Sequence, residues 1–143
     1  MADQRTVAVG HQAAEDSNVR VWAGRGLSGV AVLFLLFDSV GKLLQLQPVI
    51  DGTIELGYPV STVVGLGVTL LLCVIAYAVP RTSVLGAVLL TGYLGGAIAT
   101  HVRVQNPLFT HVLFPVYVAL FIWCGLALRD ARLRAFLPWH GRS

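Results

Sequence analysis

Ionisable side chains inside or beside long apolar segments are the residues of this sequence best suited to chemistry. Asp38 and Lys42 are four residues apart, so a helix places both on one face, close enough to form an ion pair. A charge within a membrane span costs about 3 kcal/mol on insertion scales, so each one needs a physical reason. The pair predicts either an anchor near the membrane interface or the floor of a polar pocket.

A second group of polar side chains follows the third apolar segment of the chain. Histidine changes charge near neutral pH, and with a carboxylate partner it can act as a general acid or base. A neighbouring Lys or Arg can stabilise negative charge that develops in a substrate. The catalytic candidates are Asp38, Lys42, His101 and Arg103. The alternative for His101 and Arg103 is a cap on the last carbonyl groups of their helix.

Two histidines with nearby carboxylates are also potential metal ligands. His101 and His111 are ten residues apart, without the H-x-x-x-H or H-E-x-x-H spacing of a helical metal site. Lys42 and Arg103 would in addition repel a cation. We therefore predict no metal site.

The polar groups away from the basic ends of the chain fall on one side of the membrane when successive apolar segments alternate in direction. Aromatic residues at the start of the last segment can line the same pocket or form the usual belt at the membrane interface. The side chains predicted to bind a ligand are Asp38, Lys42, Glu55, Tyr58, His101, Arg103, Asn106, Phe109, His111, Phe114 and Tyr117.

Four long apolar segments must position these groups. Only 12% of the 143 residues are charged and the mean hydropathy is +0.76, whereas a soluble domain carries about 25% charge, so lipid is the expected solvent. The predicted fold is all-α, an integral membrane four-helix bundle at residues 21–138, between a flexible polar N-terminal tail at 1–20 and a C-terminal tail at 139–143. Because a span needs about 20 helical residues, the predicted helices are 26–46, 60–79, 83–104 and 109–128.

Basic residues predict the orientation of the bundle. Eight of the ten Lys and Arg residues belong to the two terminal segments and the turn at residues 80–82, while Lys42 and Arg103 fall toward the other side. Cytoplasmic segments retain excess positive charge, so both termini are predicted to be cytoplasmic and the candidate site to lie in the outer part of the bundle. The basic residues form no continuous face of the kind that binds nucleic acid.

A stripe of small residues in the third segment predicts a close helix contact. Gly92-x-x-x-Gly96, with Gly95 beside it, is typical of membrane helices whose backbones approach closely. The contact can lie within the bundle, which we expect, or between two copies of the chain.

Seven stretches of the sequence together carry a family resemblance. They are residues 36–43 (LFDSVGKL), 56–59 (LGYP), 80–87 (PRTSVLGA), 92–103 (GYLGGAIATHVR), 106–109 (NPLF), 113–117 (LFPVY) and 129–134 (RDARLR). Taken together, these stretches resemble the DoxX-like family of small bacterial membrane proteins. The polar positions that match the family's motifs are Asp38, Lys42, Tyr58, His101 and Arg103. The chain departs from many members at Leu70, where they have a Glu on the second helix.

The resemblance implies a multi-pass protein of the bacterial cytoplasmic (inner) membrane. Similar proteins are associated with the small subunit of a thiosulfate:quinone oxidoreductase and with a membrane component that assembles with redox-defence proteins. The resemblance therefore favours a protein that binds a small lipophilic ligand, with quinone as the candidate cofactor, or an accessory subunit of a membrane redox complex, without enzymatic activity of its own. The expected partners are membrane lipids, redox-complex subunits and a second copy of the chain.

Two alternatives to this interpretation stay open. One is a membrane enzyme of the isomerase or hydrolase type, which performs acid–base chemistry on a lipophilic substrate. The other is a purely structural membrane protein whose polar cluster only anchors the helices.

Overall fold

The protein is helical through most of the chain that the structure describes. The computed structural model describes the backbone of residues 2–136 and the side chains of residues 15–133. The helices are α1 (Ala2–Leu43), α2 (Gln47–Glu55), α3 (Ser61–Ala78), α4 (Ser83–Arg103), α5 (Phe114–Arg129) and α6 (Ala131–Phe136), with a π-helical turn, Leu108–Val112, before α5. Four segments are long and apolar enough to cross a membrane, namely Glu15–Leu43, Ser61–Ala78, Ser83–Arg103 and Leu108–Arg129. The predicted all-α membrane fold is confirmed.

The N-terminal segment, for which the sequence predicts a flexible tail, is helical in the structure, and its flexibility stays a prediction. α1 begins at Ala2, so residues 2–20 continue the first spanning helix. This segment is rich in Ala and contains no Pro, so nothing in the backbone interrupts the helix that the apolar stretch establishes. The predicted C-terminal tail, residues 139–143, lies outside the described residues.

The four spanning helices form a ring in which each packs on two neighbours. α1 contacts α3 and α5, and α4 contacts the opposite sides of the same two helices. Successive spans alternate in direction, so the bundle has a terminal end, around Gly24, Tyr77 and Arg129, and a site end, around Lys42 and His101. The assignment of the terminal end to the cytoplasm stays a prediction from the charge distribution.

Glycines allow the helices to touch at the terminal end. An added Cβ atom at Gly86 on α4 would overlap the backbone of Tyr77 on α3. An added Cβ atom at Gly24 on α1 would lie 2.8 Å from the backbone nitrogen of Arg129. Backbones approach this closely only where one partner lacks a side chain, so these glycines fix the helix crossings.

The predicted glycine stripe on α4 makes no such contact. An added Cβ atom at Gly92, Gly95 or Gly96 would meet nothing within 4 Å in the described part of the chain. The prediction that the stripe packs inside the bundle is therefore wrong. The physical reason is that α4 contacts α3 tightly at Gly86, near the terminal end, and these three glycines lie beyond that crossing on the exposed side of α4.

Tyr77 joins three helices at the terminal end. Its side chain is fully buried, and its hydroxyl group lies 2.8 Å from Ser28 Oγ on α1 and donates to the carbonyl oxygen of Ile122 on α5 at 2.8 Å. The guanidinium group of Arg129 lies 4.9 Å from the centre of the Tyr77 ring and donates to the Tyr77 carbonyl oxygen. This network crosslinks α1, α3 and α5 away from the candidate site.

Tyr77→Phe is expected to lower the free energy of unfolding by about 1–3 kcal/mol, because it leaves the buried Ser28 hydroxyl without its phenolic partner. The measurement is the fraction of helix retained during titration with sodium dodecyl sulfate, followed by circular dichroism. Tyr117→Phe is the matched control, because the Tyr117 side chain is exposed on the surface of α5. Equal unfolding curves for the two variants would show that the hydroxyl network does not hold the terminal end together.

Candidate functional site

A cavity of about 700 Å³ lies at the site end, between all four spanning helices and α2. This volume is within the range of about 300–1,000 Å³ that is typical of sites for small organic ligands. Its walls include the buried apolar side chains of Leu35, Leu94 and Val118, and Lys42 lies at the site end. The cavity therefore changes from apolar to polar along the bundle axis.

Most of the side chains predicted to bind a ligand line this cavity. They are Asp38, Lys42, Glu55, Tyr58, His101, Asn106, His111 and Phe114. Three others lie outside its walls: Phe109 is 72% exposed, Tyr117 is exposed on the surface of α5, and Arg103 points to the loop after α2. The helix topology thus brings together residues that are up to 76 positions apart in the sequence.

The ion pair predicted on α1 is present in the cavity wall. Lys42 Nζ lies 2.5 Å from Asp38 Oδ1, and the side chains are 14% and 35% exposed, respectively. The pairing lowers the cost of placing each charge at the end of a membrane span. It also leaves the ammonium group with further donor positions, since an amine of this kind has three hydrogens and one is used.

The two histidines meet on the opposite wall. The rings of His101 and His111 are 5.7 Å apart, edge to face. The Asn106 amide nitrogen donates to His101 Nδ1 at 2.9 Å, so the neutral ring carries its proton on Nε2. His101 therefore has one free donor, while His111 Nδ1 lies 2.8 Å from the Thr110 hydroxyl oxygen.

The π-helical turn explains why His111 reaches this wall. Pro107 precedes the turn and Pro115 follows it, and proline has no N–H group for a helical hydrogen bond. Within the turn, the backbone N–H of Leu113 bonds the carbonyl oxygen of Leu108, five residues back. This widened turn separates His111 from α5, an irregularity that is common at functional sites.

The short helix α2 forms part of the cavity wall at the site end, and the sequence did not predict this helix. Pro48 stands at its first turn, a position that suits proline, and α2 contributes Val49, Gly52 and Thr53 to the cavity. An added Cβ atom at Gly41 on α1 would lie 3.3 Å from Val49, so α2 packs closely against the end of α1.

Arg103 fixes the loop after α2. Its guanidinium group donates to the carbonyl oxygen of Leu56 at 2.6 Å, and Gly57 beside it has a φ of 80°. In the same loop the Tyr58 hydroxyl lies 2.9 Å from Thr100 Oγ1, which donates in turn to the Gly96 carbonyl oxygen. These bonds tie the loop to α4, so Arg103 positions the wall of the cavity and does not line it.

Tyr93 is a cavity residue that the sequence reasoning missed. It lies on α4 eight residues before His101, about 12 Å deeper along the helix. Its half-buried side chain lines the cavity, and its hydroxyl makes no hydrogen bond to any group in the part of the chain that the structure describes. The signal was present in the sequence, because positions 93, 97 and 101 repeat every four residues on one helix face.

Two aromatic rings pack against each other in the cavity wall. The rings of Phe34 on α1 and Phe114 on α5 pack edge to face, 5.3 Å apart. Among the described residues, no three His, Cys, Asp or Glu side chains are grouped so that they could hold a metal ion. Lys42, Tyr93 and His101 each present a hydrogen-bond donor at this site, which suits a ligand with oxygen acceptors.

A family model described as the DoxX-like family matches residues 26–125. The matched region contains all four spanning segments for most of their length and every cavity-lining residue. No curated protein matches the chain, and no solved structure matches it either.

Proposed function

The chain belongs to the DoxX-like family, and on that premise we propose that it holds a small lipophilic molecule with a polar head in the cavity of a membrane bundle. Quinone is the candidate ligand. The proposed location is the bacterial cytoplasmic membrane, with the cavity toward the outer face.

The cavity carries this proposal, because its two halves suit the two parts of such a molecule. The apolar part of the wall, with the buried Leu35 and Val118 among its residues, suits a ring or hydrocarbon group. The donors of Lys42, Tyr93 and His101 suit carbonyl oxygens, which accept hydrogen bonds but donate none. A purely structural bundle has no need for an unfilled space of about 700 Å³ beside three hydrogen-bond donors.

An accessory role in a membrane redox complex is compatible with the same site. A bundle that retains quinone would supply an electron carrier to a catalytic subunit, while the described residues contribute binding and orientation. Membrane lipids surround the bundle in either case, and the expected protein partners are redox subunits or a second copy of the chain.

Tyr93→Phe is expected to weaken the binding of a tail-less dimethoxy-methyl-benzoquinone by about tenfold, because it removes one hydrogen bond of about 1–1.5 kcal/mol. The measurement is the dissociation constant from equilibrium dialysis of the purified protein in detergent. The ring of Tyr93 stays in place, so packing against the core is retained.

Tyr58→Phe is the matched control for this experiment. Tyr58 also lines the cavity, but its hydroxyl already bonds Thr100. A smaller effect at Tyr58 than at Tyr93 is expected. Unchanged affinity in Tyr93→Phe would contradict the assignment of its hydroxyl to the ligand, and no binding by the wild type would contradict a quinone ligand.

A further inference from the structure

The wall of the cavity reaches the outer surface of the bundle at α4. Gly92 and Gly96 both line the cavity, and both are exposed on the outer surface of α4. An added Cβ atom at either position would meet nothing within 4 Å. Leu66 on the neighbouring helix α3 also lines the cavity. We call this part of the wall, formed by Gly92, Gly96 and Leu66, the side notch.

The side notch faces hydrocarbon. α4 has 21 residues, which at 1.5 Å per residue matches a hydrocarbon core of about 30 Å. Gly92 lies at the middle of this helix, and Gly96 lies one turn, or about 6 Å, closer to the site end. The surface at these two glycines is therefore at the depth of the lipid tails, where water is absent.

We propose that the ligand is a lipid whose polar head lies in the cavity and whose single long hydrocarbon tail leaves through the side notch into the bilayer. This inference rests on the proposed function and specifies the class of ligand. The tail leaves the apolar cavity wall and enters the hydrocarbon of the bilayer. Its passage through the side notch therefore exposes no apolar surface to water. The absent side chains at Gly92 and Gly96 leave open space at the surface of α4.

The geometry also explains why the glycine stripe is unpacked. A tail that passes α4 needs close approach to its backbone, and glycine permits such approach without steric conflict. Gly95, on the same helix, is equally exposed but does not line the cavity. Gly92 and Gly96, which line the cavity, can therefore be compared with Gly95, which does not.

The test compares two probes in three proteins. The probes are the tail-less benzoquinone and the same ring with a long polyprenyl tail, and the proteins are wild type, Gly92→Leu/Gly96→Leu and Gly95→Leu. We expect the double variant to retain about tenfold less long-tailed quinone through purification, because leucine side chains fill the notch. In the double variant the affinity for the tail-less ring is expected to fall by less than the retention of the long-tailed quinone, and Gly95→Leu is expected to resemble wild type with both probes. Circular dichroism verifies that each variant is folded.

The outcomes separate the tail route from the proposed function. If the double variant retains long-tailed quinone as well as wild type does, the side notch is not the tail route, although the cavity can still bind the ring. If the wild type binds neither probe and carries no lipid, both proposals are wrong. If mass spectrometry finds an acyl lipid on the wild type and the double variant loses it, the side notch is supported and the tail is acyl.

Discussion

Gly86→Ala is expected to cause the largest loss of stability of any single-methyl change in the described bundle. The added Cβ atom would overlap the backbone of Tyr77, and a backbone cannot move aside as a flexible side chain can. Overpacking of a rigid contact costs about 3 kcal/mol or more, and here it must separate α3 from α4. The measurement is the free energy of unfolding in sodium dodecyl sulfate, or the yield of folded protein if the variant does not assemble.

Two other glycines extend this prediction to an order of stability among three variants. Gly41→Ala brings its new methyl group 3.3 Å from the side chain of Val49, which can shift by a few tenths of an ångström. Gly95→Ala meets nothing within 4 Å and gains helix propensity of about 1 kcal/mol. The expected order of stability is Gly95→Ala, then Gly41→Ala, then Gly86→Ala. Equal stability of the first and last variants would show that α3 and α4 do not cross at Gly86.

The sequence predicts the spanning helices well because apolar length and charge content are local properties. The predicted segment at 83–104 corresponds to α4 (Ser83–Arg103) within one residue. Helix crossings are not local, since they depend on which faces meet. The motif Gly92-x-x-x-Gly96 is therefore a poor guide here, and the glycine that makes the contact, Gly86, has no such motif around it.

The sequence also predicts part of the candidate site. Because successive spans alternate in direction, Lys42 and His101 must lie at the same end of the bundle. The structure places both in the wall of one cavity. The wall formed by α2 was not predictable from apolar length, because nine residues cannot span a membrane. Tyr93 lies in the middle of α4, away from the helix ends that carry the other polar residues. The hydrogen bond from Arg103 to Leu56 depends on the loop conformation, which the sequence does not specify.

Lys42→Met is expected to have the largest effect on ligand binding. It removes the only ammonium group in the cavity wall, and a hydrogen bond from a charged donor contributes about 1.5–3 kcal/mol. The dissociation constant of the tail-less benzoquinone should therefore rise by about 10- to 100-fold. The change also leaves the Asp38 carboxylate without its partner, which is expected to lower stability.

The double variant Asp38→Asn/Lys42→Met separates binding from anchoring. If the pair only anchors α1, removing both charges restores stability and leaves the affinity for the quinone unchanged. If Lys42 also binds the ligand, stability recovers but affinity does not, because a methionine side chain cannot donate a hydrogen bond. Asp38→Asn alone completes the double-mutant cycle. This variant keeps the ammonium group, so its affinity for the quinone should stay closer to wild type than that of Lys42→Met. Wild-type affinity in the double variant would assign the ion pair to anchoring and remove Lys42 from the site.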